Sequence, residues 1–159
     1  MRRLVVILST VGLTFAMLSA TVAADQPAPT TFIAVLNADE EVPHCAAATN
    51  ASRGLAIFHV TDEATGTVEW KLVANNLPGT PVAAHIHVAP KGTAGSVVQP
   101  LPPTAGEENG VIGEGTFMNK PLLIAIRLKP QNYYVNVHST VCGAGVIRGQ
   151  LDEHGPSNQ

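Results

Sequence analysis

The stretch at residues 53–74, RGLAIFHVTDEATGTVEWKLVA, decides the fold class of this 159-residue chain. β-Branched and apolar residues fill its two ends, and the TDEATG segment between them has the polar and glycine composition of a turn. In the second half, the apolar residues Val68, Trp70 and Leu72 alternate with mostly polar ones, so their side chains lie on one face of a strand. The stretch therefore predicts a β-hairpin with Trp70 in the protein core.

Short strands of the same kind recur along the chain, separated by Gly, Pro, Asn and Asp. No repeat, heptad or long helix is predicted, although residues 119–123 could form a helical turn. The pattern favours an all-β fold, an antiparallel β-sandwich of immunoglobulin-like or Cu,Zn superoxide dismutase-like architecture, in one domain at residues 31–152. The predicted strands are residues 31–36, 53–60, 67–74, 83–88, 96–101, 111–117, 122–128, 133–138 and 145–151.

The N-terminus has the organisation of an export signal. Two arginines precede an apolar run at residues 4–18, and small residues follow it. This order predicts a cleavable signal peptide at residues 1–24, with cleavage after Ala23 or Ala24. An uncleaved N-terminal anchor is the alternative interpretation, because an apolar run of this kind can also hold a chain at a membrane.

The rest of the chain is expected to be secreted, either extracellular or periplasmic, with no membrane span after signal cleavage. Residues 25–30 are predicted to be a flexible stub, and residues 153–159 a polar tail. The formal net charge of −3 leaves none of the basic excess needed to neutralise phosphates. Nucleic acid is therefore not an expected partner.

Two cysteines, Cys45 and Cys142, lie in the exported part of the chain. An oxidising compartment lets such thiols pair, so we predict a disulfide bond between them. Two buried free thiols are the alternative.

The strongest chemical signal is the histidine pair of the predicted strand at residues 83–88. Because side chains alternate along a strand, His85 and His87 project to one face, whereas Ile86 points to the other face with the core residues. A His-x-His pair on a strand can chelate one metal ion, because neutral imidazole suits zinc, copper, iron and nickel.

Two further strands carry polar residues in the same alternating pattern, at residues 133–138 and 145–151. If the cysteines are bonded, His44 also comes near the turn after His138. We therefore predict a copper or zinc site, with groups such as Asn136 or Gln150 holding the other ring nitrogens. The alternative is that the histidines only satisfy nearby backbone groups. The predicted ligands are His85, His87 and His138, with His44 in reserve, and the predicted surrounding residues are Asn136, Arg148 and Gln150.

Other kinds of site have less support in the sequence. No G-x-S-x-G motif is present, so a hydrolase triad is not predicted. The acidic triplet Asp39, Glu40 and Glu41 lacks the pattern of a calcium loop and is expected to be an exposed turn. His59 is expected to be solvated or hydrogen-bonded rather than a ligand.

Taken in order, five motifs resemble the CHRD domain, the module named after chordin. The resemblance implies an extracellular β-sandwich related in architecture to Cu,Zn superoxide dismutases. In chordin the domains belong to a protein that binds secreted growth factors, which implies binding rather than catalysis, and the resemblance implies no catalytic residues. The motifs are FIAVLNADEEVP at residues 32–43, residues 54–58, HIH at residues 85–87, YVNVH at residues 134–138 and IRGQ at residues 147–150.

The expected function is thus an exported binding module with a histidine-rich polar patch, whose partner is a metal ion or an extracellular protein. One alternative is a metal-dependent redox enzyme of the superoxide dismutase type. Another is a structural cell-surface or extracellular protein that holds no metal.

Overall fold

The computed structural model describes residues 30–152. The predicted signal peptide, residues 25–29 of the predicted stub and the tail at residues 153–159 lie outside the described residues. No helix within residues 30–152 is long and apolar enough to cross a bilayer. The elements are β1 Thr31–Asn37, β2 Arg53–Asp62, β3 Thr67–Asn75, β4 Pro81–Val88, β5 Ser96–Pro100, β6 Gly110–Met118, α1 Lys120–Leu128, β7 Tyr133–Ser139 and β8 Ile147–Gln150, with short 3-10 turns at Ala38–Glu40 and Pro130–Asn132.

The eight strands form one sheet in the order β5-β4-β7-β8-β1-β2-β3-β6, and all the neighbouring strands are antiparallel. The sheet curls on itself, so the predicted all-β, sandwich-like architecture is confirmed. A single core cluster takes residues from both halves of the sheet, for example Ile86 and Val137 from one half and Leu36 and Leu72 from the other. The two halves therefore bury their apolar faces against each other, which is the main driving force for such a fold.

The hairpin that decided the fold class forms as predicted. In the β2–β3 ladder Phe58 lies opposite Trp70, and Trp70 is buried at 6% exposure. The indole ring packs on the neighbouring strand β6 at Gly113 and Gly115, where an added Cβ atom would come within 3.2 Å of the ring. Glycine at these two positions lets the large ring pack closely against the strand.

The strand predicted at residues 122–128 is wrong, because this segment is the helix α1. Asn119 caps the helix, and its side chain accepts a hydrogen bond from the backbone N–H of Leu122 at 3.1 Å. Leu122, Leu123 and Ile126 are buried, and this spacing places them on one face of a helix. The apolar run is too short for its period to separate a helix from a strand, so the cap and the proline at the helix start were the better signals.

The strands β4, β7 and β8 are adjacent and carry the predicted polar residues on one face. The register places His85 opposite Asn136 and His87 opposite Tyr134, and Asn136 in turn lies opposite Arg148. Because residues two apart on a strand share a face, these side chains form one continuous polar surface.

Candidate metal site

Three imidazoles come together on this polar surface. His85 and His87 project from β4, and the intervening Ile86 is fully buried on the core side, as the alternation predicted. His138, on the neighbouring strand β7, lies beside them, with its ring centroid 5.1 Å from that of His85 and 6.5 Å from that of His87. One nitrogen from each ring can be chosen so that all three lie within 4.8 Å of one another. This separation is compatible with binding to a single ion.

Two backbone carbonyls fix the orientation of two of these rings. Nδ1 of His87 lies 2.9 Å from the carbonyl oxygen of Gly95, and Nδ1 of His138 lies 3.0 Å from that of Gly143. Since a carbonyl can only accept, each Nδ1 carries the proton and each Nε2 presents a lone pair. Holding the far nitrogen of the ring in this way is typical of metal-binding histidines.

The Nε2 atoms of these two rings differ in their surroundings. Nε2 of His138 lies 3.2 Å from Nδ1 of His85, so His85 donates a hydrogen bond to it in the metal-free protein. Nε2 of His87 is buried and has no hydrogen-bond partner. A buried acceptor without a partner is costly, and a metal ion would satisfy it. An ion bound here could use the lone pairs on Nε2 of His87 and Nε2 of His138, together with a nitrogen of His85 in the tautomer that leaves that nitrogen unprotonated.

The surroundings of the site favour the neutral form of two of these rings, those of His85 and His138. Partial burial lowers the pKa of His85 below its ordinary value, and the neighbouring His138 and His87 lower it further. Burial also lowers the pKa of His138, and His87 adds to this effect, whereas the hydrogen bond to the Gly143 carbonyl opposes it. Neutral imidazole is the form that binds metal, so the lowered pKa values of His85 and His138 favour metal binding by these two rings at neutral pH.

Tyr134 supports the site from within the same surface. Its ring stacks on His87 at a centroid distance of 4.7 Å, and the guanidinium carbon of Arg148 lies 3.5 Å from its centroid. Because β4 and β8 flank β7 on opposite sides, His87 and Arg148 approach opposite faces of the tyrosine ring. The Tyr134 hydroxyl accepts a hydrogen bond from the N–H of Gly95 at 3.1 Å. The stack thus fixes both the plane of His87 and the position of the loop that orients it.

Arg148 and Gln150 form hydrogen bonds with the loop at residues 89–95, which contains Gly95, rather than with the imidazoles. Arg148 donates to the carbonyl oxygens of Thr93 at 2.9 Å and Pro90 at 3.1 Å, and Gln150 donates to that of Ala89 at 3.0 Å. The sequence hypothesis assigned the outer ring nitrogens to groups such as Asn136 or Gln150, but the carbonyls of Gly95 and Gly143 take that role. Backbone carbonyls carry no sequence signal, which is why the residue pattern could not indicate them.

His44 does not join the three imidazoles. Cys45 and Cys142 are bonded, with their Cα atoms 5.9 Å apart, so the predicted pairing is present. The adjacent His44 ring nevertheless turns to the 3-10 turn, where its Nδ1 lies 3.0 Å from the carbonyl oxygen of Ala38. The group of three described above does not include it. The disulfide brings the backbone of His44 close, but a local backbone acceptor binds the side chain.

The expectation of an exposed acidic turn is wrong for Glu41, which is buried at 4% exposure. Its carboxyl interacts with the Asn136 amide and with the charge of Arg148, and its Oε1 accepts from the N–H of Val42 at 3.1 Å. A Cβ atom added to Gly145 would lie 2.4 Å from the carboxyl carbon of Glu41, so glycine provides the space for this side chain. Sequence reasoning missed the residue because charge usually marks a surface, although Glu41 lies within the FIAVLNADEEVP motif.

Burial of Glu41 predicts an unusual pH dependence of stability. Burial raises the pKa of this carboxyl to about 7, and the Val42 hydrogen bond, the Arg148 charge and the Asn136 amide only partly oppose it. The folded chain therefore binds a proton more tightly than the unfolded chain, and this contribution is lost as the pH rises from about 4.5 to about 7. Glutamine does not titrate, so Glu41→Gln should not lose this contribution. The free energy of unfolding of Glu41→Gln minus that of the unmodified chain should therefore rise by about 1 to 3 kcal/mol from pH 5 to pH 8. Urea unfolding at pH 5 and at pH 8 measures this difference, and the exposed Glu69→Gln is the control. The same difference at both pH values would contradict the prediction.

His59 fits its expectation, since it is exposed and lies 3.3 Å from the Thr31 hydroxyl through Nδ1. It is separate from the three imidazoles.

Comparison with known proteins identifies the family of this domain. The family model of the CHRD domain matches residues 32–151, which spans the strands from β1 to β8 and all the residues of the candidate site. No curated protein and no solved structure matches the chain significantly. The matched segment is most of the chain, and it begins and ends at the boundaries of the curled sheet. The chain is therefore a member of the CHRD domain family.

Proposed function

We propose that this chain is an exported CHRD-domain binding module that holds one copper or zinc ion between His85, His87 and His138. The observation that carries the proposal is the buried Nε2 of His87, which has no hydrogen-bond partner and belongs to the same group as the other two imidazoles. Export is supported by the N-terminal signal pattern and by the Cys45–Cys142 disulfide, which is typical of oxidising compartments.

The ligand set favours copper or zinc among the common metals. Three neutral imidazoles without a carboxylate suit copper and zinc, whereas calcium and magnesium prefer oxygen ligands. Divalent copper generally binds nitrogen sites more tightly than zinc does, so we expect copper to bind more strongly in a direct comparison. Three protein ligands also leave a coordination position for water or for a group from a partner.

The alternative of a structural protein without metal predicts that the histidines only satisfy one another and the backbone. His85, His138 and Nδ1 of His87 do have such partners, but Nε2 of His87 does not. In the alternative of a redox enzyme, the same three histidines would bind copper. Measuring catalytic turnover distinguishes this enzyme from a binding module. Superoxide dismutation by the copper-loaded protein would support the enzyme.

Replacing His87 with alanine is expected to weaken copper or zinc binding by about 100-fold, which corresponds to about 2.7 kcal/mol. Replacing His138 should have an effect of the same order, since each change removes one of three ligands. Isothermal titration of the purified metal-free chain measures the affinity, and the rise in melting temperature on adding metal provides a second readout.

His44→Ala is the matched control for these variants. His44 precedes the disulfide-bonded Cys45 in the chain, but its ring is hydrogen-bonded to the carbonyl oxygen of Ala38, so we expect the variant to keep wild-type metal affinity. Metal binding that survives in both His87→Ala and His138→Ala, or that is absent from the unmodified chain, would contradict the proposed site.

A further inference from the structure

A buried positive charge lies close to the histidine cluster. The guanidinium of Arg148 is 1% exposed, and its carbon Cζ lies 3.5 Å from the centroid of the Tyr134 ring. The opposite face of that ring stacks on His87 at a centroid distance of 4.7 Å. One aromatic ring therefore separates the fixed charge from a proposed metal ligand. Because buried charges are screened far less than charges on the surface, Arg148 repels a cation held by His87.

The three imidazoles bring no negative charge that would offset this repulsion. Each binds a metal ion as the neutral ring, and the group of three contains no carboxylate. A divalent ion bound here would therefore add two positive charges near a buried arginine. Burying charge without compensation is costly, so a site that binds such an ion needs a negative group nearby.

Glu41 supplies a negative group at this position. Its side chain is 4% exposed, and its carboxyl interacts with the charge of Arg148. The side-chain amide of Asn136, which is also buried, donates a hydrogen bond to the carboxyl. Asn136 lies directly opposite His85 in the β4–β7 ladder and two residues before His138 on β7, so it shares their face of the sheet. One hydrogen-bonded side chain thus connects the carboxyl to the strands of the proposed ligands.

The elements around the carboxyl favour its burial close to Arg148. Arg148 on β8 is the charged group that acts on it, whereas β7 presents the uncharged Asn136 and the turn before β8 presents Gly145, whose lack of a side chain leaves space for it. The N–H of Val42 donates to Oε1 at 3.1 Å. Burial raises the pKa of Glu41 to about 7, so the carboxyl becomes mostly ionised only above neutral pH.

We propose that Glu41 is the charge-compensating residue of the metal site, whose carboxylate neutralises Arg148 and so permits a divalent ion to bind between the three histidines. This inference rests on the proposed metal-binding function and adds to it a residue outside the ligand set. The ion and the proton on Glu41 then oppose each other. Binding of the ion favours the ionised carboxylate, and a protonated Glu41 releases its proton to the solvent when the ion binds.

The zinc affinity of Glu41→Gln tests the proposal, because glutamine keeps the size of the side chain but never ionises. At pH 8 we expect the variant to bind zinc about tenfold more weakly than the unmodified chain, measured by competition with a chromophoric chelator. At pH 5.5, where Glu41 of the unmodified chain is protonated, the two affinities should differ by less than about twofold. Arg148 is unsuited to this test, because its removal also releases the loop that orients His87.

Proton release on zinc binding is a second readout, and a purely structural role of Glu41 would not change it. Isothermal titration at pH 7 in buffers of different ionisation enthalpy gives the number of protons released per zinc ion. The unmodified chain should release about half a proton more than Glu41→Gln does. Equal proton release by the two proteins would contradict the coupling between Glu41 and the ion.

Asp39→Asn is the matched control, because Asp39 belongs to the same acidic triplet but is exposed. It should keep the affinity of the unmodified chain at both pH values. Equal zinc binding by Glu41→Gln and the unmodified chain at pH 8 would overturn this inference and leave the proposed metal site intact. A loss of affinity that is the same at pH 8 and pH 5.5 would also overturn it, since Glu41 would then act through structure rather than charge. An unmodified chain that binds neither zinc nor copper would overturn the proposed function, and this inference with it.

Discussion

Replacing Cys45 and Cys142 together with alanine is expected to lower the free energy of unfolding by about 4 to 5 kcal/mol. The bond joins residues 97 positions apart, and closing so long a loop removes a large amount of conformational entropy from the unfolded chain. A loss of this size is a large part of the stability of an ordinary domain, so the variant should be only marginally folded at 37 °C. Urea unfolding at 25 °C measures the difference.

Reduction of the unmodified chain is the control for this variant. Reduced protein and the double alanine variant should unfold at the same urea concentration, since both lack the covalent loop. The disulfide also anchors the turn that contains Gly143, whose carbonyl orients His138. A loss of less than about 1 kcal/mol in both samples would show that the bond does not restrain the unfolded chain as the entropy model requires.

Replacing Arg148 with alanine is expected to cost about 3 to 5 kcal/mol. The guanidinium is 1% exposed, stacks on Tyr134, and donates hydrogen bonds to the carbonyls of Thr93 and Pro90 and to the side chain of Gln150. Hydrogen bonds from a charged donor contribute more than neutral ones, and alanine leaves both carbonyls without this donor. Urea unfolding at 25 °C measures the loss.

Arg53→Ala is the matched control, because Arg53 is exposed and donates one hydrogen bond to the carbonyl of Asn50. It should change stability by no more than about 0.5 kcal/mol. In the Arg148 variant, the loop at residues 89–95 should also lose the two hydrogen bonds at Pro90 and Thr93, so the amide of Gly95 should exchange its hydrogen faster. Because the Gly95 carbonyl orients His87, we further expect metal affinity to fall by about tenfold or more. Equal effects of the two arginine changes would contradict this assignment.

The alternation of apolar and polar residues predicted the structure correctly wherever a strand buries one apolar face. It indicated the β2–β3 hairpin, the burial of Trp70 and the common face of His85 and His87, because each of these depends only on local alternation. The same reasoning failed for α1, where a short apolar run has no clear period and the capping residue Asn119 determines the outcome.

The burial of Glu41 could not be read from local patterning. The residue lies in an acidic triplet whose other two members fit a surface turn, and its burial depends on Gly145, more than one hundred residues away. The position of His44 is a similar case, since its neighbour Cys45 pairs as predicted while its ring binds Ala38 instead.

The sequence by itself determined the all-β class, the strand faces, the cysteine pair and the two histidines of the His-x-His motif, because alternation and residue chemistry act over a few positions. The sequence also predicted His138 as a ligand beside them, but only the tertiary structure decided that His44 stays apart, that the carbonyls of Gly95 and Gly143 orient two of the rings, and that Glu41 is buried. These features depend on which strands become neighbours and on where backbone groups point, and both are set by the packing of the whole curled sheet.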